Sequence, residues 1–135
     1  MLLRYPRYAD GDSTARPRDD AHDSTRPESA PIFLGMYAIA ILRYRRPLDE
    51  VIKAQDAHRA YLRTLLEQGT LIASGPLDPR NGGALLLRVP DDDFAAALDR
   101  VRDGDPFWQD GIAQYELLPW RPVMGVEALD ALVRP

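Results

Sequence analysis

From Leu48 to Gln68 the chain carries a helical pattern that dictates what the rest of it must do. At helical spacing Leu48, Val51, Ile52, Gln55, His58, Leu62, Leu65 and Leu66 share one face, whereas Glu50, Lys53, Asp56, Arg59 and Glu67 lie elsewhere. At about 1.5 Å per residue such a helix runs roughly 30 Å, and its apolar stripe has to be covered by the rest of the chain. Gly69 closes it in the manner of a left-handed cap. His58 falls inside the stripe. An imidazole buried without partners costs free energy, and the best partner in the chain is Asp105, in Gly104-Asp105-Pro106-Phe107.

The flanking segments supply a sheet. Met36 to Tyr44 is rich in strand formers and has no polar face until Arg43, so it is expected to be covered on both sides. Pro47 separates it from the helix. Thr70 to Ser74 and Ala84 to Val89 read as strands of an antiparallel hairpin, with turn chemistry in Leu77-Asp-Pro-Arg-Asn-Gly82 between them. Phe94, Leu98 and Val101 give the inward line of a second helix, opened by Asp91-Asp92-Asp93 and ended near Gly104. Asp105 reads as an N-cap with Pro106 at the first helical position, and Ile112 to Trp120 is the last strand. Gly125 to Val133 has the spacing of a small helix, with Val126, Leu129 and Val133 as its apolar contacts.

The order βαββαβ predicts an α+β fold, an antiparallel sheet with both helices on one face. Strands apolar on both sides leave the second face in need of a cover, and a second copy of the sheet is the simplest one, so a homodimer is expected. The divisions follow: an N-terminal arm over residues 1–35, a folded domain over 36–124, and a tail over 125–135. The arm mixes both charges with proline and holds few large apolar side chains between Asp10 and Ser29, which predicts disorder. It reads as an extension the domain does not require, and His22 within it as a solvated side chain. It fits neither a secretory signal nor a mitochondrial transit peptide.

Composition narrows the function. The 135 residues suit one domain with a real core. A formal net charge of −4 leaves no basic footprint for phosphate backbones, so nucleic acid is not an expected partner. No apolar run approaches the roughly 20 residues a bilayer requires, and no membrane partner is expected. The chain has no cysteine and two histidines, which excludes disulfides, thiol nucleophiles and thiolate metal sites and supplies a transition-metal site poorly. A cytoplasmic location and an absence of metal and cofactor are the expectations.

Each chemical candidate has a structural reading beside it. A histidine held by a carboxylate is an acid–base device, because the carboxylate fixes the tautomer and stabilises the imidazolium. The same pair can be a helix cap and a core hydrogen bond. Ser74 lacks the strand-turn-helix elbow of a hydrolase nucleophile and reads as a hydrogen-bond donor to a ligand or to His58. Gly75, and the pair Gly82-Gly83, can permit close ligand approach or simply form turns. Asp91 to Asp93 reads as a capping cluster, not a metal site. Arg43, with Arg45 and Arg46, can draw an anionic substrate to a nearby cleft or form a solvated rim. Phe107, Trp108, Tyr115 and Trp120 read as core or interface packing, with one or two available to wall a pocket.

Met36 to about Val123 resembles the YciI-like, or YCII-related, family. The resemblance is carried by Tyr37-Ala-Ile-Ala-Ile-Leu42, Ala57-His58-Arg59 with Tyr61-Leu62, Gly69-Thr-Leu-Ile-Ala-Ser-Gly-Pro76, Asp105-Pro106-Phe107 and Tyr115-Glu116. It implies a ferredoxin-like fold that dimerises as an α+β barrel, with His58 and Asp105 as the active pair. Two functions are then expected. One is a small cofactor-free enzyme of isomerase or lyase type, in which His58 moves a proton on a small cyclic or aromatic-derived metabolite, Asp105 orients the ring, and Ser74, Gly75, Arg43 and Phe107 contact the substrate. The other is a non-catalytic dimeric module that binds a small ligand or another protein.

Overall fold

A computed structural model describes residues 35–132 of the chain; the expected arm lies outside the described residues apart from Gly35. Strand β1 (Gly35–Tyr44) leads into α1 (Leu48–Glu67), followed by β2 (Leu71–Pro76), β3 (Gly82–Pro90), α2 (Phe94–Asp103), the short α3 (Pro106–Gln109), β4 (Ala113–Trp120) and α4 (Val126–Leu132). The four strands form one sheet in the order β2-β3-β1-β4, and every neighbouring pair is antiparallel. This is the ferredoxin-like βαββαβ arrangement that the element order predicts.

Register and the two-residue pleat sort the sheet's side chains. Ala38 stands opposite Leu87 and Ala40 opposite Leu85, while Leu42 stands opposite Tyr115 on the other neighbour. All six are buried, and they share one core with Val51, Leu62 and Leu65 of α1, Ala97, Leu98 and Val101 of α2, and Phe107 of α3. The alternate residues Ile39, Ile41, Leu86 and Leu118 face the other way; the first three are half-buried and Leu118 is exposed. Tyr37 at the end of that face is buried and donates a hydrogen bond of 2.5 Å from its hydroxyl to Asp130 of α4.

Helix α1 ends as Gly69 suggests. Gly69 has φ of 78°, its N–H reaches the Leu66 carbonyl, and the Thr70 N–H reaches Leu65, the paired bonds that finish a helix through a left-handed residue. Its buried stripe is narrower than the spacing implies. Val51, Leu62 and Leu65 are buried and His58 is half-buried, whereas Leu48, Ile52 and Leu66 are exposed. The face is centred on Val51, His58 and Leu65, seven residues apart, and the three exposed residues fall on its flank.

Two further local readings change. The three aspartates form a single 3-10 turn, and Asp93, at the N-cap position of α2, makes no side-chain cap bond; its carboxylate takes the Arg100 guanidinium at 2.8 Å instead. Gly82 lies within β3, not in a turn. A Cβ there would sit 1.8 Å from the Leu42 carbonyl oxygen, so only glycine lets β1 and β3 pair at that point.

Candidate active site

His58 lies midway along α1, and the α3 cap brings its partner to it. Asp105 has extended backbone and accepts the Phe107 N–H at 2.9 Å, with Pro106 opening the helix. This local geometry turns a fully buried carboxylate towards α1. His58 Nδ1 lies 2.8 Å from Asp105 Oδ1 and 2.9 Å from Oδ2. A carboxylate only accepts, so Nδ1 is the donor, and in the neutral ring Nε2 is left with the lone pair. The Tyr115 hydroxyl donates to Oδ2 as well. Three donors therefore converge on one buried carboxylate and satisfy it without solvent.

Phe107 fixes the ring's plane. The imidazole and phenyl centroids are 3.9 Å apart, with 3° between the planes. Proline at the first position of α3 thus serves two purposes, since the turn it starts aims both the Asp105 cap and the Phe107 face at His58. Burial, and then the negative charge of Asp105, push the Tyr115 hydroxyl far above the ordinary phenol range, so it remains a donor. Tyr61 is raised to about 12, first by burial and then by Asp105 and Asp103; its hydroxyl donates to the Val101 carbonyl at 2.7 Å.

His58 forms part of the wall of a cleft of about 260 Å³. Leu42, Leu62, Leu85, Pro76 and Phe107 supply apolar surface, while Tyr44, Gln55, Arg59, Ser74 and Arg80 supply polar groups. Ser74 and Gly75, at the end of β2, are among these residues, and so is Phe107. Ser74 makes no hydrogen bond with His58, and no Ser-His-Asp chain is formed. Arg43 is not a cleft residue. Leu42 and Tyr44 face the cleft, so the pleat turns Arg43 to the opposite side of β1, between Gly82 and Gln114.

The cations at the cleft are Arg59 and Arg80, which sequence reasoning does not single out. Arg59 follows His58 on a helix and reads as a solvated charge by periodicity alone. Arg80 sits in the β2–β3 loop, whose conformation no residue pattern specifies. Tyr115 has a usable signal: it alternates with Ala113 along β4, and both are buried on the helix-covered side. Among the described residues no group of three or more His, Cys, Asp or Glu could hold a metal ion, and no helix is long and apolar enough to cross a membrane.

Comparison with known proteins adds the family. The YCII-related domain family matches residues 36–121. Among solved structures, the chain is similar to 5-chloro-2-hydroxyhydroquinone dehydrochlorinase (TftG) from Burkholderia phenoliruptrix AC1100, in complex with 2,5-dihydroxybenzoquinone. The two are 24% identical over 62% of this chain and 93% of that one, with a TM-score of 0.49. No curated protein matches the chain.

Proposed function

The chain belongs to the YCII-related domain family, and for this member we propose a small acid–base enzyme of isomerase or lyase type, in which His58 moves a proton on a cyclic or aromatic-derived metabolite. The observation that carries the reading is the joint placement of His58. Its Nδ1 is tied to a fully buried carboxylate, its face lies on Phe107, and its side chain borders a cleft.

In the proposed reaction Nε2 accepts a proton from the substrate and returns it at another atom, or passes it to a leaving group. The imidazolium formed is stabilised by Asp105. Tyr115 and the Phe107 N–H occupy other lone pairs of that carboxylate, which holds it in place as the anion while the ring cycles. Ser74, on the cleft wall, is a donor available to negative charge developing on a substrate oxygen. Proton transfer of this kind requires no cofactor. We further propose that the sheet face carrying Ile39, Ile41, Leu86 and Leu118 is covered by a second copy, giving the dimeric barrel.

Exchange of substrate hydrogen with deuterated solvent tests the catalytic reading even while the product is unidentified. With a panel of cyclic ketones, enols and hydroxylated aromatic compounds, deuterium should enter at least one compound above the background rate. His58→Ala should abolish that exchange while its circular dichroism stays native. Exchange that survives His58→Ala would refute the reading. So would a variant that merely unfolds, with no exchange detectable in the wild-type protein, because the pair would then be structural.

A further inference from the structure

The charge of the cleft points to its substrate. The chain is acidic overall, with 21 Asp and Glu against 17 Lys and Arg. Yet the residues lining this cleft include Arg59, Arg80 and His58 and not one aspartate or glutamate. Neither guanidinium has a carboxylate within ion-pair distance among the described residues. Arg80 donates from one terminal nitrogen to Gln55 Oε1 at 3.0 Å, a neutral acceptor standing where an anion would bind more strongly. The loop that carries it is tied down: Asn81 N–H reaches the Pro79 carbonyl, Leu77 N–H reaches Gly82, and the Asn81 carbonyl takes the Tyr44 N–H, all within 2.9 Å.

We infer that Arg59 and Arg80 form an anion subsite and that the cleft takes a small ring-bearing carboxylate. This deepens the acid–base reading above and rests on it for the role of His58. A planar carboxylate matches the paired N–H donors of a guanidinium, whereas the cleft has neither the glycine-rich loop nor the helix N-terminus that usually cradles phosphate. Its volume of about 260 Å³ lies just below the roughly 300–1,000 Å³ of clefts for larger ligands, which limits the occupant to about one ring. The ring lies against Leu62, Leu85 and Phe107, the carboxylate reaches the two arginines at the rim, and the face between them meets His58. The arginines thus set specificity and orientation while the histidine performs the chemistry.

The test is a binding measurement by NMR on the full chain, with benzoate, salicylate and cyclohexenecarboxylate set against the corresponding amides and against inorganic phosphate. At least one carboxylate should move the His58 and Phe107 ring signals along a saturating curve, with its amide roughly tenfold weaker or worse. Arg59→Gln and Arg80→Gln should each weaken that carboxylate by roughly tenfold while leaving the folded spectrum intact, and added salt should weaken it too. The inference is overturned if no carboxylate in the panel binds, if amides bind as well as acids, if phosphate outcompetes the acids, or if both variants bind unchanged. Deuterium exchange through His58 is read separately, so a failed subsite and a failed acid–base reading give different results.

Discussion

At the scale of single residues, the weight falls on Asp105. Its two oxygens accept from His58, Tyr115 and the Phe107 backbone while none of its surface meets water. Replacing it by alanine leaves three buried donors without an acceptor, so Asp105→Ala should lose on the order of 3–5 kcal/mol in chemical denaturation. Asp105→Asn is the sharper probe. The amide oxygen can still cap α3 and accept from Nδ1, as Oδ1 does for both groups, but a neutral amide no longer stabilises the imidazolium by charge. The fold should survive, while exchange catalysis falls by about 100-fold or more; unchanged exchange in that variant would show that Asp105 does not govern the ring.

At the scale of elements, close contacts decide which glycines are fixed. A Cβ on Gly104 would lie 2.6 Å from the Tyr61 hydroxyl, which is itself bonded to Val101. Gly104→Ala should therefore lower stability by about 1–3 kcal/mol through overpacking, as thermal melting would report. Gly75 has nothing within 4 Å of that position, so Gly75→Ala should stay within about 0.5 kcal/mol of wild type. The link between β1 and α4 is a pH-dependent one. Tyr37 is raised to about 12 by burial, then by its hydrogen bond to Asp130 and that residue's charge, against an opposing effect of Arg88. The folded state thus holds the phenol proton more tightly than the unfolded chain, whose phenols titrate near 10. The contribution is full below pH about 10 and is lost as pH climbs through about 12. Tyr37→Phe should be less stable than wild type at neutral pH, by about 1 kcal/mol, and urea titrations should show the gap closing over that alkaline range. A gap independent of pH would mean that Tyr37 does not hold its proton in this way.

At the scale of the whole molecule, the second sheet face is the one the proposed dimer would cover. Ile39, Ile41 and Leu86 lie together there, with exposed Leu118 beside them. If a second copy covers them, light scattering should give twice the chain mass for the wild type and the single mass for Ile41→Asp; a wild-type monomer at micromolar concentration would rule the dimer out. Much of the architecture is legible in the sequence because it follows from local chemistry: helical spacing, the Gly69 cap, the Asp105-Pro106 start and the alternating strands each specify their element. His58 and Asp105 can be paired for the same reason, one by its place on a stripe and the other by its cap. Arg43 looks like a cleft residue from proximity in sequence, although the pleat sends it away from Leu42 and Tyr44. Arg80 cannot be placed from sequence at all, since its position depends on how a loop folds back over β1, and the limits of the α1 stripe depend on how far the sheet extends beneath it.

The most direct test is nitrogen NMR of the His58 ring in the wild-type protein, under conditions where the ring is neutral. Nδ1 should carry the proton and Nε2 the lone pair. A ring with its proton on Nε2 would contradict the pairing with Asp105.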